Sequence, residues 1–262
     1  MQKGSSGKTY VSSLRWICRN QNALPLEWDT DFLKQQLDGF EKMTRTKTDF
    51  LYIDWSLARK LVVFSNSRDR KEQACLYAVA ASMMPRVQNE LLPLRWNDLA
   101  KHSSVVINPN HTQVAIALKS RKNRPDGAEI IRPCLCETER HPLCAVHALI
   151  NFRSFRNFPN GYTGSIFSTP YTSFLRLLRE DLAALNVPDA EKYGSKAFRR
   201  GTAMEMANSG HSLAEILVAG QWKSSAFAHY LSTKDVDFES LFRLIDKADE
   251  PDDAHTTKRK RP

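Results

Sequence analysis

Three short apolar runs, enclosed on both sides by long stretches of helical periodicity, most narrow what this chain can fold into. Val105 to Ile107 and Val114 to Leu118 flank the turn residues Asn108, Pro109 and Asn110, and Glu129 to Cys134 follows a loop containing Pro125, Asp126 and Gly127. Runs of this length bounded by Asn, Pro and Gly read as strands. Strands joined by such turns pair antiparallel with their neighbours. The expectation is a mainly α chain with one small three-stranded antiparallel sheet, an α+β fold.

Helical spacing surrounds the sheet. Tyr10, Val11, Leu14, Ile17 and Cys18 form one stripe, and Asp29 or Thr30 caps a second helix carrying Phe32, Leu33, Leu37 and Phe40. The polar, basic stretch from Lys42 to Lys47 reads as a linker. Residues 1–46 are therefore expected to be a short helical module, 47–248 the main domain, and 249–262 a polar, disordered basic tail. Asp54 to about Ala81 has a helical pattern. Phe174, Leu177, Leu178, Leu182 and Leu185 make a further stripe, and Arg199 to Asn208 and Leu213 to Ala219 make two helices broken at Gly210. Ser212 and Glu215 fit a capping box. Phe238 to Ile245 is a last short helix.

The 262 residues carry a net charge of +9, which suits a polyanionic partner. No apolar run approaches the roughly 18–20 residues that span a bilayer, and the first residues lack the apolar core of a signal peptide. An intracellular protein is expected: nuclear if eukaryotic, with Lys258-Arg259-Lys260-Arg261 as an import signal, otherwise cytoplasmic. Five cysteines in such a context do not make a disulfide framework. Cys134, Cys136, His141, Cys144 and His147 lie close together, and four of them could hold zinc tetrahedrally. Their spacing is not that of a common zinc finger, and no metal or other cofactor is assigned.

The chemistry-bearing residues lie far apart along the chain. Arg86 opens one segment. Lys196 precedes Arg199 by one helical turn, Trp222 stands after Gly220, and Tyr230 follows. Phosphoryl transfer from DNA needs such a set. Two guanidinium forks can clamp the oxygens that gain charge in the transition state. A tyrosine hydroxyl can attack phosphorus when nearby cations stabilise its oxyanion. A lysine can protonate the departing oxygen. Each residue alone would pass for an ordinary surface or packing residue; the conjunction carries the reading. The segment Ala203 to Val218, with Gly210 in a turn, also fits a helix-turn-helix.

In these residues the chain resembles the tyrosine recombinase (phage integrase) family, with a Cre-like catalytic domain. Arg86, Glu90 and Leu94-Arg95-Trp96 look like the family's first arginine box. Lys196 and Arg199 look like its second, Gly220 and Trp222 its third, and Tyr230 its nucleophile. Family members usually place the acidic residue three after the first arginine. Here it is four after, which one extra residue or a helical bulge absorbs. Lys196 stands where many members carry histidine. The segment Lys8 to Met43 resembles the end of the family's core-binding domain.

The resemblance implies a site-specific recombinase or integrase of a mobile element. Arg86 and Arg199 would bind the scissile phosphate, Trp222 and Lys196 complete the pocket, and Tyr230 become joined to the 3′-phosphate. A lysine between two strands, Lys122 with Lys119 as runner-up, would protonate the 5′-oxygen. Glu90 would support Arg86, while Arg121, Arg124, Arg200 and Lys223 would meet the DNA backbone. Four protomers would assemble on two duplexes through the helix 238–245, with Phe238, Leu241, Phe242 and Leu244 docking on a neighbour. Other readings are an inactive DNA-binding protein of the same fold, a type IB topoisomerase, and a structural zinc-bearing interaction protein.

Overall fold

The computed structural model describes residues 51–98, 102–121 and 126–222. The expected module 1–46 and its linker, the helix 238–245 and the basic tail lie outside the described residues. Helix α1 spans Trp55–Ser67 and α2 spans Lys71–Met83. A π-helical turn covers Val87–Leu91. Strands β1 (Arg95–Trp96), β2 (Ser104–Ile107), β3 (Gln113–Leu118) and β4 (Ala128–Pro133) follow. Then come α3 (Ala145–Phe155), α4 (Tyr171–Ala184), a 3₁₀ turn at Ala190–Lys192, α5 (Lys196–Asn208) and α6 (Leu213–Gly220). No helix among the described residues is long and apolar enough to cross a membrane.

The sheet has four strands in the order β1-β2-β3-β4, not three. The extra strand is the two-residue β1, which pairs parallel to β2 with Arg95 opposite Ser104 and Trp96 opposite Val105. Two residues are too few to show a period of two in sequence. The other pairings are antiparallel as expected. In β3 the alternation is clean: Val114, Ile116 and Leu118 are buried between more exposed neighbours, as one-sided packing demands.

The helical pattern from Asp54 to Ala81 resolves into two helices. The chain reverses at Asp69, which takes the left-handed conformation (φ 57°). The Asp54 carboxylate accepts the Leu57 N–H at 2.6 Å and starts α1. Helix α2 lies at the centre of the fold. Leu76, Tyr77, Ala78, Val79 and Ala80 are all fully buried, so it is apolar nearly all round rather than along one stripe. The Tyr77 ring stacks on Phe198 of α5 at 5.6 Å and meets Phe174 of α4 edge-on at 5.9 Å.

Helix α4 presents Phe174, Leu178 and Leu182 inward, and with them Asp181, which is 1% exposed. Its carboxylate accepts the hydroxyls of Ser65 at 2.9 Å and Tyr77 at 3.0 Å and pairs with Arg70. One buried carboxylate thus joins α1, α2 and α4. Burial and the neighbouring Asp181 charge push the Tyr77 hydroxyl far above its ordinary value, so it stays a donor. Asp181→Asn should lower stability by about 2 kcal/mol, because hydrogen bonds to a charged group are the stronger ones; denaturant unfolding of the two proteins measures it.

Candidate functional site

The first arginine is placed by the end of α2. Met84 turns left-handed (φ 55°), and Pro85 has no N–H with which to continue the helix. Arg86 then opens the π turn, in which Leu91 N donates to Arg86 O at 3.1 Å and Leu92 N to Val87 O at 2.9 Å. A π turn holds one residue more than an α turn. It is the bulge that brings Glu90 back beneath Arg86 despite the four-residue spacing.

Glu90 is 3% exposed and fully engaged. It accepts the Arg86 backbone N–H at 2.8 Å and Arg86 Nη1 at 3.3 Å. It also accepts Arg121 Nε at 2.8 Å and Nη2 at 3.1 Å. Four donors saturate a carboxylate, and two guanidiniums outweigh its single charge. The four hydrogen bonds tie the two arginines to one carboxylate. Arg121, expected on the DNA backbone, is instead buried as the fork that neutralises Glu90; a buried carboxylate with a single half-exposed partner would be costly. Arg86 keeps about a third of its side chain open.

The second cluster forms where α5 meets the end of α6. The predicted capping box at the start of α6 is present: Glu215 N donates to Ser212 Oγ at 3.2 Å and Ser212 N to Glu215 Oε2 at 2.7 Å. At its other end Gln221 takes the left-handed conformation (φ 55°), Gln221 N donates to Val218 O, and Trp222 N donates to Leu217 O. This is a Schellman cap, and it fixes where the Trp222 ring goes. The ring lies over Gly220, where a Cβ would come within 1.7 Å of it. Arg199, itself 3% exposed, donates Nη2 to Gly220 O at 2.7 Å and lays its guanidinium 4.6 Å from the Trp222 ring centroid. Lys196, the first residue of α5, is exposed one turn away.

One side chain joins the two clusters. Arg132 of β4 donates Nε to Ser82 O at 3.2 Å and Nη2 to Ala219 O at 2.8 Å. Ser82 is four residues before Arg86 and Ala219 three before Trp222, so the two arginine-bearing segments lie on either side of one guanidinium. Gln221 Nε2 donates to Glu129 O of the same strand at 3.3 Å. Burial lowers the Arg132 pKa from its ordinary value. Sequence reading missed Arg132, although a signal was there. It shares the face of the buried Ile130 in β4, and an arginine at an inward register position needs acceptors.

Helix α5 is anchored from behind. Ile53 N donates to Ala197 O at 3.0 Å, and Thr202 Oγ1 donates to Ala81 O at 2.6 Å. Arg200 Nη1 reaches Leu51 O at 3.4 Å, and Lys119 is exposed with its backbone N–H on Ser103 Oγ at 3.0 Å. Lys122, Arg124, Lys223 and Tyr230 lie outside the described residues. The cysteines that follow β4 form a separate group, beginning two residues after Arg132.

No protein-family model matches the chain. No curated protein matches it either. Among solved structures, it is similar to the crystal structure of XerA recombinase, with a TM-score of 0.53 and 14% identity over 89% of this chain and 82% of that one. At that identity the likeness is one of fold: a mixed helical domain with a small sheet, resembling that of a recombinase.

Proposed function

We propose that the chain is a tyrosine-type DNA recombinase that cuts and rejoins DNA through a 3′-phosphotyrosyl bond. The observation that carries the reading is Arg132 tying the Arg86 segment to the Arg199–Trp222 unit, which gathers cationic forks from three parts of the chain. The XerA-like fold supports it, and so does Glu90, which holds Arg86 through its backbone N–H and its guanidinium.

In this reading the guanidiniums of Arg86 and Arg199 take the non-bridging oxygens of the scissile phosphate, where negative charge grows. Tyr230 Oη attacks phosphorus and releases its proton to solvent, which later restores the proton that Lys122 gives up, and the bond from phosphorus to the 5′-oxygen breaks. Lys122 gives that oxygen its proton. Lys196 and Trp222 line the pocket. The 5′-hydroxyl of a second strand reverses the step, so the phosphoester bond energy is kept and no nucleotide cofactor is consumed. Tetramer assembly on two duplexes through the helix 238–245 belongs to the same proposal.

A DNA substrate nicked near the cleavage site releases a short fragment on cutting and traps the enzyme on the strand. Wild type should give an adduct that survives denaturant, and Tyr230→Phe should give none. Duplex binding with no adduct from wild type would leave a DNA-binding protein of the same fold. An adduct retained by the Phe variant would place the nucleophile elsewhere.

A further inference from the structure

Three cysteines and one histidine converge where β4 hands over to α3. Cys134 and Cys136 follow the strand, Cys144 is the residue that caps α3, and His147 lies in its first turn. His147 Nδ1 is 3.4 Å from Cys134 Sγ, 3.3 Å from Cys136 Sγ and 3.5 Å from Cys144 Sγ. Cys134 Sγ and Cys144 Sγ are 3.6 Å apart, and all four atoms lie within 4.8 Å of one another.

Hydrogen bonding among neutral groups does not account for this. An imidazole Nδ1 carries either one proton or one lone pair, so it can serve one of the three sulfurs and leaves the other two crowded against it. A disulfide does not account for it either. It needs sulfurs at about 2.05 Å, and joining Cys134 to Cys144 would leave Cys136 and His147 turned inward for nothing. A central ion satisfies all four atoms at once. With zinc–sulfur bonds of about 2.3 Å and zinc–nitrogen bonds of about 2.0–2.1 Å, tetrahedral edges are about 3.8 Å between sulfurs and about 3.5 Å between sulfur and nitrogen.

The backbone supplies a second, independent sign. Each sulfur accepts a peptide N–H: Cys134 from Cys136 at 3.3 Å, Cys136 from His141 at 3.2 Å, and Cys144 from Leu135 at 3.4 Å. Donors directed at every sulfur suit thiolates, whose charge they offset, better than thiols. His141, the remaining candidate of the sequence cluster, is not a ligand. Its Nδ1 accepts the Leu143 N–H at 3.2 Å, which shapes the loop.

We infer that Cys134, Cys136, Cys144 and His147 bind one structural zinc ion. Four protein ligands leave no open position for water or substrate, so the ion is a clip and not a reagent. It fastens the end of β4 to the start of α3, and β4 is the strand whose Arg132 and Glu129 hold the end of α6. Soft sulfur donors in a tetrahedron select zinc over magnesium or calcium. The inference stands whether or not the chain cuts DNA.

The test is elemental analysis of the full chain purified without chelator. One zinc per chain is expected. Cys136→Ser should lose it, and Cys75→Ser, which alters a buried thiol on α2, should keep it. His147→Cys should also keep it, because four sulfurs bind zinc equally well; this variant speaks even if Cys136→Ser folds poorly. Replacing the zinc with cobalt should produce the visible bands of a tetrahedral thiolate site. Folded wild type without stoichiometric metal, stoichiometric iron in place of zinc, a Cys134–Cys144 disulfide by mass spectrometry, or zinc retained in Cys136→Ser would each overturn the assignment.

Discussion

Arg199→Ala should slow the formation of covalent protein–DNA adduct by about 10³-fold, the scale of losing a preorganised donor to a phosphoryl transition state. Affinity for uncut duplex should fall only a few fold, since many cations on such a surface share the phosphate contacts. Arg199 is held on two sides, by Gly220 O and by the Trp222 ring, so its fork need not be ordered when the phosphate arrives. Arg199→Lys keeps the charge but loses both the fork and the planar face that stacks, and should recover little of the rate. Single-turnover kinetics on the nicked substrate, beside duplex titrations at one fixed salt concentration, separate the two quantities. Loss of cleavage and binding in equal measure would make Arg199 a docking cation and would remove it from the chemistry.

Gly201→Ala should cost about 3 kcal/mol, the upper range for forcing an extra carbon into a packed core. A Cβ on Gly201 would sit 1.6 Å from Ile53 O and 2.3 Å from Ile53 C. The obstacle is backbone, and it cannot swing aside cheaply because Ile53 N is bonded to Ala197 O on the same helix. For a domain of this size that loss lowers Tm by about 10 °C. Calorimetry of the purified variant measures it. A Tm within a degree or two of wild type would show that the 51–54 segment does not press on α5. The residue matters to the site as well: α5 carries Arg199, and the close approach at Gly201 sets how deeply that helix seats.

Much of the fold was legible because it depends on near neighbours. The alternation in β3, the inward stripe of α4 and the capping box at Ser212 are all properties of a few consecutive residues, and all are present. So was the extra residue between Arg86 and Glu90, which a π turn takes up. The boundary between the expected N-terminal module and the main domain falls outside the described residues.

What the sequence could not supply is pairing across long stretches of chain. Arg121 seeks Glu90 31 positions away, Asp181 seeks Ser65 116 away, and Arg132 reaches Ala219 87 away. Each is a buried charge or polar group whose partner is chosen by packing, because only the folded chain removes water and makes an unpaired group costly. The same holds for the cysteines. Their spacing along the chain matched no common zinc motif, yet the turn between β4 and α3 closes them around one point. By itself the amino-acid order determined most of the helical segments, the three longer strands and which residues could handle a phosphate. Tertiary structure decided which of those cations are spent on holding the protein together and which still face outward, since burial is a property of the whole chain and of no single segment.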